Sequence, residues 1–324
     1  MDHKEILRHY GIRAQKSLGQ NFLVNDDILE TIADSVEITG KDILEIGPGY
    51  GALTEKILAR KPRSLTLVEL DKKMVYILQS RIREGDIIIP EETIFTIIEG
   101  DVLKYTPGES SEISQKRSNL NEKGSHSSPG EGLSKGIVQN KYGEGEAEFG
   151  IQRTSFSEIS PYSVIANIPY YITSPILFRF LHELENKPEE MVILMQKEVG
   201  DKICRKKGYN NSYLSLALEF SCETIEEVCL VPKENFIPSP KIDSSVLSFK
   251  RKKEYDTLRA KQFLKITSAG FTSPRKKLLS NLANTLHISK EVLHESFEGL
   301  ELLETARAEE LGIGKWKELI EKIT

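Results

Sequence analysis

The stretch DILEIGPGYG, residues 42–51, joins a short apolar run, Asp42 to Ile46, to a turn with glycine at 47, 49 and 51. The run reads as a strand, and helical spacing resumes at once through Leu53, Ile57 and Leu58. The glycines therefore lie where a strand passes into a helix. A turn of that kind lets a ligand approach the backbone closely, because glycine carries no Cβ. The spacing is Glu45-x-Gly47-x-Gly49-x-Gly51 rather than the G-x-G-x-x-G of dinucleotide folds, and Pro48 suits a pyrophosphate poorly. Glycine-rich turns are also common packing solutions, so the turn alone names no ligand.

Working outward, residues 25–37 have helical spacing behind an Asn/Asp start. Residues 64–69 read as a second strand, 72–83 as a second helix, and 93–99 as a third strand running into Gly100-Asp101. Strand and helix in alternation imply an α/β fold, a parallel sheet joined by right-handed crossovers. Between 107 and 160 the pattern fails: the segment holds 8 Gly and 11 Ser, with no sustained period. So long a structureless loop is foreign to a compact domain, and the segment reads as a solvated, disordered insertion. A tail that folds on a partner is the alternative. Order returns with a strand at 163–167, a helix at 174–185 and a fully apolar strand at 191–195, with further strands expected at 212–220, 225–231 and 244–250. Beyond 252 the period is helical, over 256–269, 275–286, 289–296, 304–310 and 314–323. The expectation is an α/β domain over 1–251, interrupted by 107–160, and a small all-helical domain over 252–324.

The 324-residue length suits two domains at ~150 residues each. No apolar run reaches the ~20 residues that span a bilayer, and the N-terminal stretch lacks the apolar core of a secretory signal, so no membrane role is expected. Cys204, Cys222 and Cys229 are odd in number and lack metal-ligand spacing; they read as packing residues of a reduced, cytoplasmic protein. The net charge of −5 argues weakly against a nucleic-acid partner, but its distribution argues the other way. Residues 241–285 carry eleven Lys or Arg against three acids, and 197–207 five against two, whereas 286–324 carry five against nine. A charge run is usually a solvated face. This one spans the expected domain junction, where Arg275, Lys276 and Lys277 are candidates for nucleic-acid phosphate contacts.

Two acids follow strands at the sheet edge where open α/β folds bind ligands. Glu69 lies 22 residues beyond Gly47, where a carboxylate can take both hydroxyls of a ribose; Asp101 can accept from an adenine amino group. With the glycine turn they suggest an adenosine-containing cofactor without a phosphate cradle, which S-adenosylmethionine fits. The plainer reading makes both acids helix N-caps.

Asn167-Ile168-Pro169-Tyr170-Tyr171 follows the fourth strand at the same edge. An exocyclic adenine amine is a poor nucleophile, since its lone pair is conjugated with the ring. Acceptors aimed at its hydrogens, the Asn167 side-chain oxygen and the Ile168 carbonyl, favour a pyramidal nitrogen in the transition state. Pro169 stiffens the turn, and Tyr170 offers a stacking face worth ~1–3 kcal/mol. A simple turn is the plainer reading of the tetrapeptide alone.

At this point the sequence resembles the small-subunit (16S) ribosomal RNA adenine N6,N6-dimethyltransferases of the KsgA type. The resemblance rests on NIPYYITSP at 167–175, QNFL at 20–23, EIGPGYG at 45–51, VELD at 68–71 and GD at 100–101. It continues through MQKEV at 195–199, YNNSYLSL at 209–216, FIPSPKIDS at 236–244, SPRKKLLSNL at 273–282 and RAEEL at 307–311. It implies a Rossmann-like class I S-adenosylmethionine-dependent methyltransferase sheet with a helical C-terminal domain, acting as a monomer; no metal is expected, since methyl transfer from a sulfonium to nitrogen needs no Lewis acid and the sequence offers no ligand cluster. Asn21 and Leu23 are then expected to frame the cofactor, with Gly47, Glu69, Asp101 and Asn167 completing its site. Phe236 is expected to close on the target adenine opposite Tyr170, since bases taken out of a stack are gripped between aromatic faces. The departure from the family is the insertion, which separates Asp101 from Asn167 by 66 positions. Two other readings stand beside this one: a large-subunit RNA methyltransferase of the antibiotic-resistance type, and a small-subunit assembly factor without catalysis.

Overall fold

The computed structural model describes residues 2–108 and 161–324. Most of the insertion expected at 107–160 lies outside the described residues. Among these, a seven-stranded sheet has the order β4-β3-β2-β5-β6-β9-β7. Its strands are β2 (Asp42–Ile46), β3 (Ser64–Glu69), β4 (Ile94–Glu99), β5 (Tyr162–Asn167), β6 (Glu190–Gln196), β7 (Cys222–Val231) and β9 (Ser244–Arg251). The first five are mutually parallel, and β9 runs antiparallel to both β6 and β7. Because β2 pairs with β3 on one side and β5 on the other, its carboxyl end lies at a topological switch point.

The parallel strands read as apolar runs because both faces are covered. One face packs under α2 (Asp26–Asp34), α3 (Ala52–Ala59) and α4 (Lys72–Arg83), through Leu29, Ile57 and Leu78. The other packs through Ile176, Leu177 and Phe180, from α5 (Thr173–Phe178) and the π-helical turn Arg179–Glu183 that continues it. These two together are the helix expected at 174–185.

Four elements depart from the sequence expectation. Residues 212–220 form no strand; α7 (Tyr213–Ser221) is a helix. Ser212 caps it reciprocally with Ser215: each side-chain oxygen accepts from the other's backbone N–H, at 3.1 and 2.8 Å. The helix is buried on two sides, Leu218 toward the sheet and Leu216 toward the C-terminal helices, which blurs its polar face. The helix expected at 275–286 starts only at Leu278, since Arg275 to Lys277 form an irregular exposed segment. Residues 304–310 contain one short 3₁₀ turn, Ala308–Glu310. A two-stranded antiparallel sheet was not foreseen: β1 (Phe22–Leu23) pairs with β8 (Phe236–Ile237). The helices α8 (Thr257–Gly270), α9 (Leu278–Leu286), α10 (Lys290–Glu298) and α11 (Ile313–Ile323) enclose a core around Trp316, Phe263, Leu282 and Phe297.

Candidate cofactor and base-binding site

The pocket opens at the carboxyl ends of β2, β3, β4 and β5. The turn after β2 holds three glycines in the left-handed region, and sterics demand it at two of them. A Cβ on Gly51 would stand 2.8 Å from Leu78 and Ile87; one on Gly49 would press on Phe22 at 3.3 Å. Gly47 faces the same pocket.

Glu69 ends β3 and is buried. Its Oε2 accepts from the Gly49 N–H at 3.0 Å, its Oε1 from the Asp71 N–H at 2.8 Å. Burial pushes its carboxyl above the usual range while these backbone donors pull it back. It is not a helix cap; that role belongs to Asp71, which accepts from Lys73 N–H at 2.9 Å. Asp101 does cap, accepting from Leu103 N–H at 3.0 Å, and it lines the pocket as well.

Asn167 ends β5, half-buried, and its side-chain amide makes no hydrogen bond with any described residue. Ile168 is buried behind it, and Pro169 opens the 3₁₀ turn Tyr170–Ile172. The half-buried Tyr170 hydroxyl shares a 2.8 Å hydrogen bond with Ser244 Oγ, which fixes the ring against β9. Phe236 reaches the same pocket although 66 positions of sequence separate it from Tyr170. Register explains how: Leu23 pairs with Phe236 across β1 and β8, and Val24 N–H donates to the Asn235 carbonyl at 2.9 Å. Asn21 lies just before that strand, its amide donating to the Gly19 carbonyl at 3.2 Å. Thus Asn21, Leu23, Gly47, Glu69, Asp101, Asn167, Ile168, Pro169, Tyr170 and Phe236 all line one pocket.

Three contributors were not read from the sequence. Tyr50, 2% exposed, donates from its hydroxyl to the Leu23 carbonyl at 3.2 Å. Its own carbonyl accepts from the buried Arg81 guanidinium at 2.7 Å. Gln15 and Gln20 both donate to Asp71 Oδ2, at 3.0 and 2.8 Å, strapping the N-terminal segment across the pocket's edge. Gln20 and Tyr50 had a signal, as letters of QNFL and EIGPGYG; Gln15 had none.

Arg275, Lys276 and Lys277 do not belong to this pocket. They are exposed, form no ion pair with a described residue, and lie between α8 and α9. Asn281 holds that segment in shape, donating to the carbonyls of Gly270 and Ser273 at 2.6 and 3.0 Å. The basic run at 197–207 is less available than its tally suggests. Lys197 and Lys206 bind Asp201, Lys202 binds Glu198, and Arg205 binds Glu219.

A family model described as ribosomal RNA adenine dimethylase matches residues 11–324. The chain belongs to that family. It is therefore an rRNA adenine dimethyltransferase, with the class I methyltransferase fold the sequence led us to expect. A Ribosomal RNA small subunit methyltransferase A of Bacillus cytotoxicus is 33% identical over 317 residues, 96% of this chain and 91% of the relative. The protein of that name from Dehalococcoides mccartyi is 32% identical over 319 residues, covering 98% and 90%. Among solved structures, a dimethyladenosine transferase from Plasmodium falciparum superposes with a TM-score of 0.61 at 21% identity, covering 91% of this chain and 94% of that one. The 23S rRNA methyltransferase ErmE gives 0.60 at 20%, covering 94% and 99%. These structures share the fold of this dimethylase family member. No helix among the described residues is long and apolar enough to cross a membrane.

Proposed function

We propose that this family member transfers methyl groups from S-adenosylmethionine to N6 of two adjacent adenosines near the 3′ end of 16S rRNA, in the small ribosomal subunit or its precursor. It would work as a cytoplasmic monomer, with residues 1–251 as the catalytic domain and 252–324 as a helical domain that leans on RNA. One observation carries the reading: the Asn167 amide, without a hydrogen-bond partner among the described residues, and the Tyr170 ring share a pocket with Glu69, Asp101 and Phe236.

The residues present fit the cofactor. Gly49 leaves the backbone bare at the turn, and Glu69 spends one hydrogen bond per carboxylate oxygen on the protein, leaving lone pairs for ribose hydroxyls. Asp101 and Asn167 complete the cradle, with Asn21 and Leu23 framing it. When bound, S-adenosylmethionine supplies an electrophilic methyl group on a sulfonium. The protein's task is positioning and polarity. Asn167 Oδ1 and the Ile168 carbonyl accept from the N6 hydrogens and steer the nitrogen lone pair out of conjugation. Tyr170 and Phe236 grip the base, and Pro169 keeps the turn from donating a competing N–H. Rebinding of the monomethyl product gives the dimethyl base.

Incubation with undermethylated small subunits and methyl-labelled cofactor tests the reading. Label in small-subunit adenosines is expected. Label in large-subunit RNA instead would support the antibiotic-resistance type, and no label at all would leave an assembly factor.

A further inference from the structure

Tyr171, the second tyrosine of the NIPYY stretch, has no part in the scheme above. It is 61% exposed, while its neighbour Tyr170 is half-buried and Phe236 is buried. Both tyrosines begin the 3₁₀ turn Tyr170–Ile172, in which consecutive side chains diverge by roughly a third of a turn. One ring is thereby committed to the pocket and the next to its rim, and Tyr171 does line the mouth of the same pocket.

The exposed ring lies beside the N-terminal segment. Gly19 lies against it: a Cβ there would meet Tyr171 Cε1 at 3.4 Å and Pro169 Cβ at 3.3 Å. Gly19 closes the 3₁₀ turn Lys16–Leu18 in the left-handed region, so the backbone supports one edge of the ring and leaves the rest open. On this supporting segment Arg13 and Lys16 are exposed and form no ion pair with a described residue. An exposed aromatic face next to a segment that carries exposed cations is the combination that receives single-stranded nucleic acid, base on ring and phosphate on charge.

We propose that Tyr171 is a stacking platform for the nucleotide adjoining the adenine held at Tyr170, with Arg13 and Lys16 meeting the neighbouring phosphates. The inference rests on the adenine-RNA reading given above. Adjacent residues serve adjacent bases: consecutive Cα atoms are ~3.8 Å apart, and the two rings face the pocket and the rim. On a substrate with two adjacent adenosines, the base on Tyr171 is the other target in one of the two rounds and the next nucleotide on the same strand side in the other.

The experiment uses the full chain with S-adenosylhomocysteine and hairpin RNAs bearing two adjacent adenosines in the loop. 2-Aminopurine replaces the target, its upstream neighbour or its downstream neighbour. With wild-type protein, one neighbour probe is expected to be quenched on binding. In Tyr171→Ala that quench is lost and RNA affinity falls about tenfold, the scale of one stacked base. Tyr171→Phe restores both, and in either variant the target-position signal and S-adenosylhomocysteine affinity stay at wild-type values. A Tyr171→Ala protein that still quenches the neighbour probe, or binds RNA as tightly as wild type, overturns the inference alone. Wild-type protein that binds none of the hairpins overturns the adenine-RNA reading together with it.

Discussion

On the proposed function, Asn167 is the side chain on which the chemistry turns, because its amide has no hydrogen-bond partner among the described residues while it lines the pocket. Truncating it would remove the acceptor that the proposed mechanism needs in the transition state. Asn167→Ala should lower turnover by about a hundredfold or more, the scale of one lost oxyanion-type contact. Calorimetry with S-adenosylhomocysteine should show weakened but surviving binding; near-wild-type turnover would remove Asn167 from the mechanism. Glu45 makes a different point. It is 1% exposed in β2, accepts from Thr54 Oγ1 at 2.7 Å, and is pushed up to about 8. Burial is the main cause, opposed by the Thr54 hydrogen bond and assisted by the charge of Glu69. Unfolded, it titrates near its ordinary 4.5, so between these values the folded state holds a proton that the unfolded chain has released. Stability must therefore fall as pH rises through that window, by up to about 1.4 kcal/mol per pH unit. Glu45→Gln removes this slope, so the variant should gain on wild type between about pH 5 and about pH 8 in urea unfolding. A constant difference would show that Glu45 is ionised throughout. The sequence showed Glu45 only as a motif letter, because its protonation depends on burial from every side.

At the scale of elements, strand ends were legible and strand partners across the chain were not. The runs ending in Gly47, Glu69, Asp101 and Asn167 each announced a position at the carboxyl edge, since parallel strands alternating with helices can end together only there. Nothing local foretold that Phe22 and Leu23 pair with Ile237 and Phe236, because two-residue strands carry no periodicity. The misread helix α7 failed for a related reason: burial on two sides imposes an alternation that mimics a strand, and only the Ser212–Ser215 capping box betrays the helix. The β1–β8 pair has a mechanical consequence. Tyr50 links the glycine turn to Leu23, and Leu23 is paired with Phe236, so the proposed cofactor cradle and base clamp share one short strand. Tyr50→Phe keeps the packing against Phe22, with ring centroids 5.5 Å apart, and removes only the hydroxyl donor. Cofactor affinity should fall about fivefold, the worth of one hydrogen bond, with a modest drop in melting temperature. A lower melting temperature with unchanged affinity would make Tyr50 a packing residue and nothing more.

Over the whole molecule, net charge is a poor guide and pairing a better one. The −5 total averages an acidic C-terminal stretch against a basic one. The structure divides the basic residues again. At 197–207 most cations are satisfied by Asp201, Glu198, Glu219 or Glu227, and Lys252 donates to the carbonyls of Glu219 and Phe220. Each such group would have to surrender a protein partner to reach a phosphate. Arg275, Lys276 and Lys277 have none among the described residues to surrender, and Asn281 ties the start of their segment to Gly270 and Ser273, which lowers the cost of ordering its backbone on binding. RNA affinity should therefore depend steeply on salt, and replacing all three by Gln should flatten the plot of log affinity against log salt by roughly 2 to 3, about 0.7 to 0.9 per phosphate contact. Affinity for S-adenosylhomocysteine should not change, because none of the three lines the pocket. Filter binding of small-subunit RNA across a salt series measures the slope. An unaltered slope would move the RNA surface away from the α8–α9 segment and back to the paired cations of 197–207.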